Sequence, residues 1–547
     1  MKKLILLLSL VTYTVQAQIL NHKHEFTRQD SLRGSNTQFR DWWNVTHYKI
    51  SVEPDFDSKF IKGETTITFN AVKKRSTNLM QIDLQEPMQI TAIQLNHQPI
   101  TKFTREGNVY FIDVENKVKS KNNQLQLTFQ GFPKVAKNAP WDGGWIFVND
   151  EKGRQWMSVA CQGLGASVWF PNKDYLADEP ENGAELEIIV PKDLVGVGNG
   201  RLVKQENIGN KTAYTWRVTN PINNYNIIPY IGKYVNFKDT YNGEKGKLDL
   251  DYYVIDYNLD KAKSQFKQAK EMLNSFEYWF GPYPFYEDSF KMIESPHLGM
   301  EHQSGIAYGN KFANGYLGTD RSFTGWGLKW DFIIIHEAGH EWFGNNITNK
   351  DVADMWIHEG FTSYSEALHT ESLFGKDAGS EYVIGTRATI ENKKPLIGVY
   401  GVNQEGPGDI YNKGANVIHT LRTWINDDEK FRNILRGMNK KFYHQTVTTK
   451  QIEDYLAKES GLDLTAFFNQ YLRTKDVPLL EIKKEGNSIL YRYFNTIDGF
   501  NMPLRLKDNN LVLYPTQDWK VIEDKNITSS FDVVINPNYY VQTIVIK

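Results

Sequence analysis

The 547-residue chain has one cysteine, Cys161, so no internal disulfide can form and stability must come from a large apolar core. It has no excess of either charge, with 63 Lys and Arg against 65 Asp and Glu, and nothing in that balance recommends nucleic acid or an acidic membrane as a partner. No later segment approaches the run of about 20 apolar residues that a membrane-spanning helix needs, and the apolar stretch from Leu4 to Val11 is far too short. Internal repeats, low-complexity tracts and a nucleotide-binding glycine fingerprint are also missing, which excludes repeat architectures and gives no sign of dinucleotide chemistry.

What is present begins with an export pattern. Lys2 and Lys3 precede the apolar run, and Val15-Gln16-Ala17 offers a small-residue cleavage site before Gln18, so residues 1–17 read as a signal peptide and the mature protein as periplasmic or secreted, with no transmembrane segment. Residues 18–39 are polar and read as an N-terminal tail. From 40 to 235 the chain alternates with period two, as in Tyr48-Lys49-Ile50-Ser51-Val52, Thr65 to Phe69, Leu125 to Phe129 and Leu186 to Val190, the pattern of an all-β domain. The glycine-rich, aromatic Pro140-Trp141-Asp142-Gly143-Gly144-Trp145 reads as a surface loop within it.

The period changes after Asp256. Ala262, Phe266, Ala269, Leu273, Phe276 and Phe280 recur at helical spacing up to Gly281-Pro282, so a helix of about 20 residues is expected near the start of a mainly helical domain over 236–475. Further helical patterns run from Asn412 to Trp424 and from Leu464 to Leu472, and Thr448 to Gln451 has the form of a capping box. Alternation returns past Pro478, so 476–547 reads as a small β-domain. The fold class is therefore multidomain α+β.

Chemistry is concentrated in one stretch, His336-Glu337-Ala338-Gly339-His340 followed after eighteen residues by Glu359. On a helix His336 and His340 lie one turn apart on the same face, half of a tetrahedral zinc site, and Glu337 beside them is placed to act as a base on water. Glu359, on a following helix, supplies a third ligand, and three protein ligands are the mark of a catalytic zinc. Glu366 lies two turns beyond Glu359 and is placed to hold a ligating imidazole by its second nitrogen. His358 points about 100° away from Glu359 on a helix and is not counted as a ligand.

The spacing H-E-x-x-H, eighteen residues, E, with Trp342-Phe343-Gly344-Asn345 and Glu359-Gly360-Phe361, resembles the aminopeptidase N and leukotriene hydrolase family of gluzincin zinc peptidases. The thermolysin family is similar, but its third ligand is one residue farther away and it lacks the Trp-Phe-Gly-Asn run. Leu298-Gly299-Met300-Glu301-His302 matches the family's Gly-x-Met-Glu-Asn strand, with Leu298 and His302 departing from it, and Tyr411-Asn412-Lys413-Gly414 resembles the Tyr-x-Lys-Gly segment. Gln162, eight residues before Phe170-Pro171-Asn172-Lys173-Asp174, resembles the family's Gln segment, with Asn172 in place of a Cys.

This resemblance implies a saddle-like β-domain, a thermolysin-like catalytic domain and a small C-terminal β-sandwich. It implies one Zn2+ per chain and an aminopeptidase acting on peptides with a free N-terminus. Glu301, with Met300 and Gly299, would bind the substrate amine, Tyr411 would stabilise the oxyanion, and Gln162 would line the pocket for the first residue. The large family members carry a helical domain after the small β-domain; its lack here implies a more open cleft and argues against the epoxide hydrolase activity of the leukotriene branch. The competing readings are an endopeptidase, if Glu301 points away from the cleft, and a secreted binding protein of the same fold that has lost catalysis. Oligomeric state is not legible. The export pattern makes its own prediction: mass analysis of the protein from its producing cell should find a mature N-terminus at Gln18, and an intact Met1 terminus would refute the leader.

Overall fold

A computed structural model describes residues 25–507, 511–524 and 526–546. The expected leader and the first residues of the expected tail lie outside them. Among the described residues no helix is long and apolar enough to cross a membrane.

The β-rich N-terminal half is built around the strand Trp43–Asp55, which runs antiparallel to Phe60–Ala71 and parallel to Ala184–Pro191. Those strands and Asn123–Gly131 lie side by side in an eight-stranded sheet, so the four alternating stretches of sequence are neighbours in space. Their alternation is the reason: Tyr48, Ile50 and Val52 are buried while Lys49 is exposed, giving the sheet one face for the core and one for solvent. Trp42, Trp43, Trp145, Trp169 and Trp216 fill that core.

The stretch expected to be a tail is ordered from Thr27 onward. Thr27 and Asp30 form a capping box on the helix Arg28–Gly34, and Leu32 packs with Val109 and Phe111. Arg40 is fully buried; it donates to Asp83 Oδ2 at 2.6 Å and to the carbonyls of Arg33 and Asp174 at 3.1 and 3.2 Å. Charge pairing and capping, and not an apolar run, fold this segment.

A five-stranded sheet opens the second half, in the order Tyr234–Gly243, Gly246–Ile255, Phe290–Glu294, Ile306–Tyr308, Gly299–Met300. The boundary expected after residue 235 thus runs through its first strand. Its edge strand, Gly299–Met300, pairs antiparallel with Ile306–Tyr308 and delivers Glu301 to the interior. The helix expected around 262–280 is two pieces, Leu259–Gln265 and Gln268–Phe280. The break falls where the Phe266 ring packs against Tyr252 and Tyr308, with centroids 5.3 and 4.8 Å apart. Helices Asn412–Ile425, Thr449–Ser460 and Thr465–Arg473 occupy the expected patterns, and the Thr448–Gln451 capping box is formed.

The C-terminal β unit has a four-stranded sheet and a two-stranded pair. It shares its core with the helices: Leu480, Ile482 and Tyr491 belong to one cluster with Leu421 and Tyr471, and Tyr471 donates to Tyr540 O at 2.7 Å.

Two helices cross near the centre, Trp356–Phe374 and Asn412–Ile425. They meet at Gly360 and Gly414, where a Cβ added to Gly414 would lie 2.8 Å from the Cα of Gly360. Gly414→Ala forces the helices apart, an overpacking that costs about 1–3 kcal/mol. Scanning calorimetry should find a Tm lower by several degrees, together with weaker metal retention, because Gly360 adjoins Glu359; an unchanged Tm would mean that the crossing yields freely.

Candidate active site

The helix Phe332–Gly339 begins where Asp331 accepts the backbone N–H groups of Ile333 and Ile334 at 3.1 and 3.4 Å, satisfying donors that a helix start leaves orphaned. Asp331 is itself fixed by Tyr308, Asn310 and Gln265, each donating at 2.7 Å. Burial raises its carboxyl to about 6, against the pull of those hydrogen bonds. His340 is the C-cap residue and still has right-handed helical backbone angles, so it stays on the face of His336. The chain then turns at Gly344, with φ 136°, where a Cβ would lie 3.2 Å from His340 Nδ1.

The helix Trp356–Phe374 brings Glu359 against both imidazoles. Glu359 Oε2 lies 3.6 Å from His336 Nε2 and 3.3 Å from His340 Nε2; these ligand atoms all fall within 4.8 Å of one another, and all three residues are buried. Each outer ring nitrogen is occupied. His336 Nδ1 meets Glu366 Oε1 at 2.7 Å, and His340 Nδ1 meets Phe343 O at 3.0 Å and Thr362 Oγ1 at 3.2 Å. Such partners fix ring orientation and the tautomer that presents Nε2 as a donor to a metal. Glu359 Oε2 is buried without a hydrogen-bond partner. Two nitrogens and one carboxylate oxygen converging on a site with an orphaned oxygen fit Zn2+ and not the all-oxygen cages of Ca2+ or Mg2+.

Glu337, on the same helix, is buried. Burial raises its carboxyl to about 7, against His336 and His340, with Glu301 and Glu359 adding to the rise. Burial also acts to raise Glu359, but His340 and His336 outweigh it and hold that carboxyl below the usual range. Gly299 is a steric necessity here: a Cβ would sit 2.7 Å from Glu337 Oε1 and 2.9 Å from Ile333. Met300 packs on the N-terminal core. Glu301 is 3% exposed, and its Oε1 accepts from Gln162 Nε2 at 2.6 Å and from the Tyr225 hydroxyl at 2.9 Å. Tyr411 is 38% exposed within the cleft, its ring 6.0 Å from that of His336; enclosure and the charges of Glu359 and Glu405 hold its hydroxyl well above its ordinary value, so it stays protonated.

Two cavities flank this group. One, of about 260 Å³, is lined by Gln162, Tyr225, Met355 and Glu405; the other, of about 490 Å³, by His336, Glu337, Glu366 and Tyr411. The structure thus brings together His336, His340, Glu337, Glu359, Glu366, Glu301, Gly299, Gln162 and Tyr411, while Met300 faces the core. His358 turns away, its Nε2 accepting from Asn349 N at 3.1 Å. Three further residues join the site. Tyr225 donates to Glu301, Asn345 Nδ2 donates to Glu301 O at 2.8 Å, and the Tyr382 hydroxyl donates to Glu366 Oε2 at 2.6 Å. Asn345 stands in the Trp-Phe-Gly-Asn run; neither tyrosine carries a local signal among 29.

Comparison with known proteins places the chain in a family. Residues 44–225 match the family model described as the peptidase M1 N-terminal domain, and residues 257–471 the one described as the peptidase family M1 domain. Aminopeptidase 2 of Candida albicans is 20% identical over 468 residues, covering 81% of this chain and 48% of the relative. Probable aminopeptidase 2 of Sulfurisphaera tokodaii is 21% identical over 465 residues, covering 82% and 55%. The chain spans about half the length of the curated relatives it matches. Among solved structures, a mutant M1 zinc metallopeptidase from Deinococcus radiodurans bound to a Tyr-Ser-Ala substrate superposes with a TM-score of 0.67 at 18% identity, covering 82% of this chain and 98% of that one.

The Glu366 contact yields a test. Glu366→Ala frees the His336 ring and should weaken zinc affinity by about 10–100-fold, as loss of an orienting partner does. Competition against a fluorescent chelator measures it; unchanged affinity would show that the ring is held by packing alone.

Proposed function

The chain belongs to the peptidase M1 family, and from that premise we propose that it is a zinc-dependent aminopeptidase that removes the first residue of peptides with a free N-terminus. One observation carries the exopeptidase half of this reading. Glu301 is a buried carboxylate oriented by Gln162 and Tyr225, which line one cavity, while Gly299, two residues earlier, abuts Glu337, which lines the other. An ammonium held at Glu301 by a charge-assisted pair would fix the start of the peptide close to the catalytic groups, which favours cleavage at the first bond.

His336, His340 and Glu359 would hold one Zn2+ per chain. When bound there, zinc would supply Lewis acidity for the scissile carbonyl and for water. Glu337 takes that proton on its carboxylate and returns it to the leaving amine. The protonated Tyr411 hydroxyl donates to the carbonyl oxygen as negative charge develops on it, the stage at which a fixed donor is most effective. Glu366, braced by Tyr382, keeps the His336 ring from turning away. Export rests on Lys2, Lys3, the apolar run and the Val15-Gln16-Ala17 site, and the mature protein would act on peptides outside the cytoplasm.

These assignments separate experimentally. With aminoacyl fluorogenic substrates, Glu337→Gln should retain zinc and lose about 10²–10⁴-fold in kcat, and Tyr411→Phe about 10²–10³-fold with little change in KM. Glu301→Ala should act mainly by raising KM. A chelator should abolish activity and added zinc restore it. N-acetylated substrates cleaved as readily as free ones would overturn the exopeptidase reading.

A further inference from the structure

One wall of the larger cavity has no part in the chemistry above. Trp141 lines it together with Leu298, Phe332, His336, Glu337 and Tyr411, and 71% of its surface is exposed. The loop that carries it is nonetheless anchored. The Asp142 carboxylate accepts the backbone N–H groups of Lys137 and Asn138 at 2.7 and 3.0 Å, and Gly143 N donates to Pro140 O at 3.1 Å. Gly144 adopts φ 126°, where a Cβ would lie 2.6 Å from Lys134 O. Trp145, which the sequence pattern assigns to the loop, instead lies in the strand Gly144–Asn149; it is fully buried, its ring 5.7 Å from Phe147 and 5.9 Å from Trp169.

A large indole left in solvent on a braced loop, at the rim of a cavity floored by catalytic groups, is a preorganised contact for a ligand. The site fixes which part of the ligand. The Glu301 partners Gln162 and Tyr225 line the smaller cavity, so the first residue goes there. The chain beyond the scissile bond then passes His336 and Glu337 into the cavity with Trp141.

We infer that Trp141 is a specificity-determining residue: its indole packs on the side chain of the substrate's second residue and favours peptides in which that residue is aromatic or large and apolar. This rests on the aminopeptidase reading. The test compares kcat/KM for Ala-Phe-Gly and Ala-Gly-Gly in the parent protein, Trp141→Ala and Trp141→Phe. A parallel calorimetric series measures binding of both peptides to Glu337→Gln with and without Trp141→Ala. The parent should prefer phenylalanine in the second position. Trp141→Ala should shrink that preference, in both kcat/KM and Kd, by about two- to twelvefold, the range of an aromatic contact, and Trp141→Phe should keep most of it. A preference left intact by Trp141→Ala, both peptides falling by the same factor, or Trp141→Phe behaving like Trp141→Ala would overturn the inference while leaving the aminopeptidase standing. A parent protein that cleaves neither peptide overturns the aminopeptidase reading, and this inference with it.

Discussion

Glu359 Oε2 sits 3.3 and 3.6 Å from two imidazole nitrogens, buried, with no hydrogen bond of its own. A carboxylate oxygen taken out of water without a hydrogen bond, facing only two imidazoles, is expensive, and the surrounding architecture holds it there. Asp331 starts one helix so that His336 and His340 share a face. Gly360 and Gly414 let the helix of Glu359 approach its neighbour closely, and Gly344 turns the chain without striking His340. Glu366, Phe343 O and Thr362 hold the outer ring nitrogens. A divalent cation bound there would offset these costs at one stroke, which favours a metal site over a purely structural cluster.

On the proposed reading, direction along the substrate would come from the β-rich half. Gln162 and Tyr225 belong to the N-terminal half, while Glu301 follows the edge strand of the next sheet. The carboxylate that would receive the amine is therefore braced across the junction of the two halves. Asn345, in the turn after His340, holds the backbone of the same residue by donating to Glu301 O. The residues that would hold the metal and the carboxylate that would receive the amine are thus joined through the turn after His340.

How much of this was legible in the sequence follows from how local each interaction is. His336, His340, Glu359 and Glu366 sit at helical spacings, so their faces follow from 3.6 residues per turn. Period-two alternation located four adjacent strands for the same reason. Gln162 and Glu301 are 139 residues apart, and only the family resemblance linked them. Tyr225 and Tyr382 act through contacts no local pattern encodes. The ordered segment around Arg40 was hidden because a guanidinium and a distant Asp83 fold it, where a reader looks for apolar periodicity. Helix continuity failed at Phe266 because an aromatic cluster outbid local propensity.

Charge explains why one site would select both a metal and an ammonium. Glu301, Glu337 and Glu359 are buried together, and Glu301 and Glu359 each act to raise the Glu337 carboxyl. The repulsion among them is a cost that any cation entering the site relieves, and relieves more strongly than in water because the local dielectric is low. A divalent ion held by Glu359 would lower that repulsion for the remaining acids, which on the proposed reading would leave Glu301 charged for a substrate amine and Glu337 free to receive a proton. An acylated N-terminus brings no charge to this arrangement and leaves Glu301 buried opposite an amide. On the proposed reading, rejection of blocked peptides would follow from the same excess of carboxylates that favours a cation, with no separate steric device.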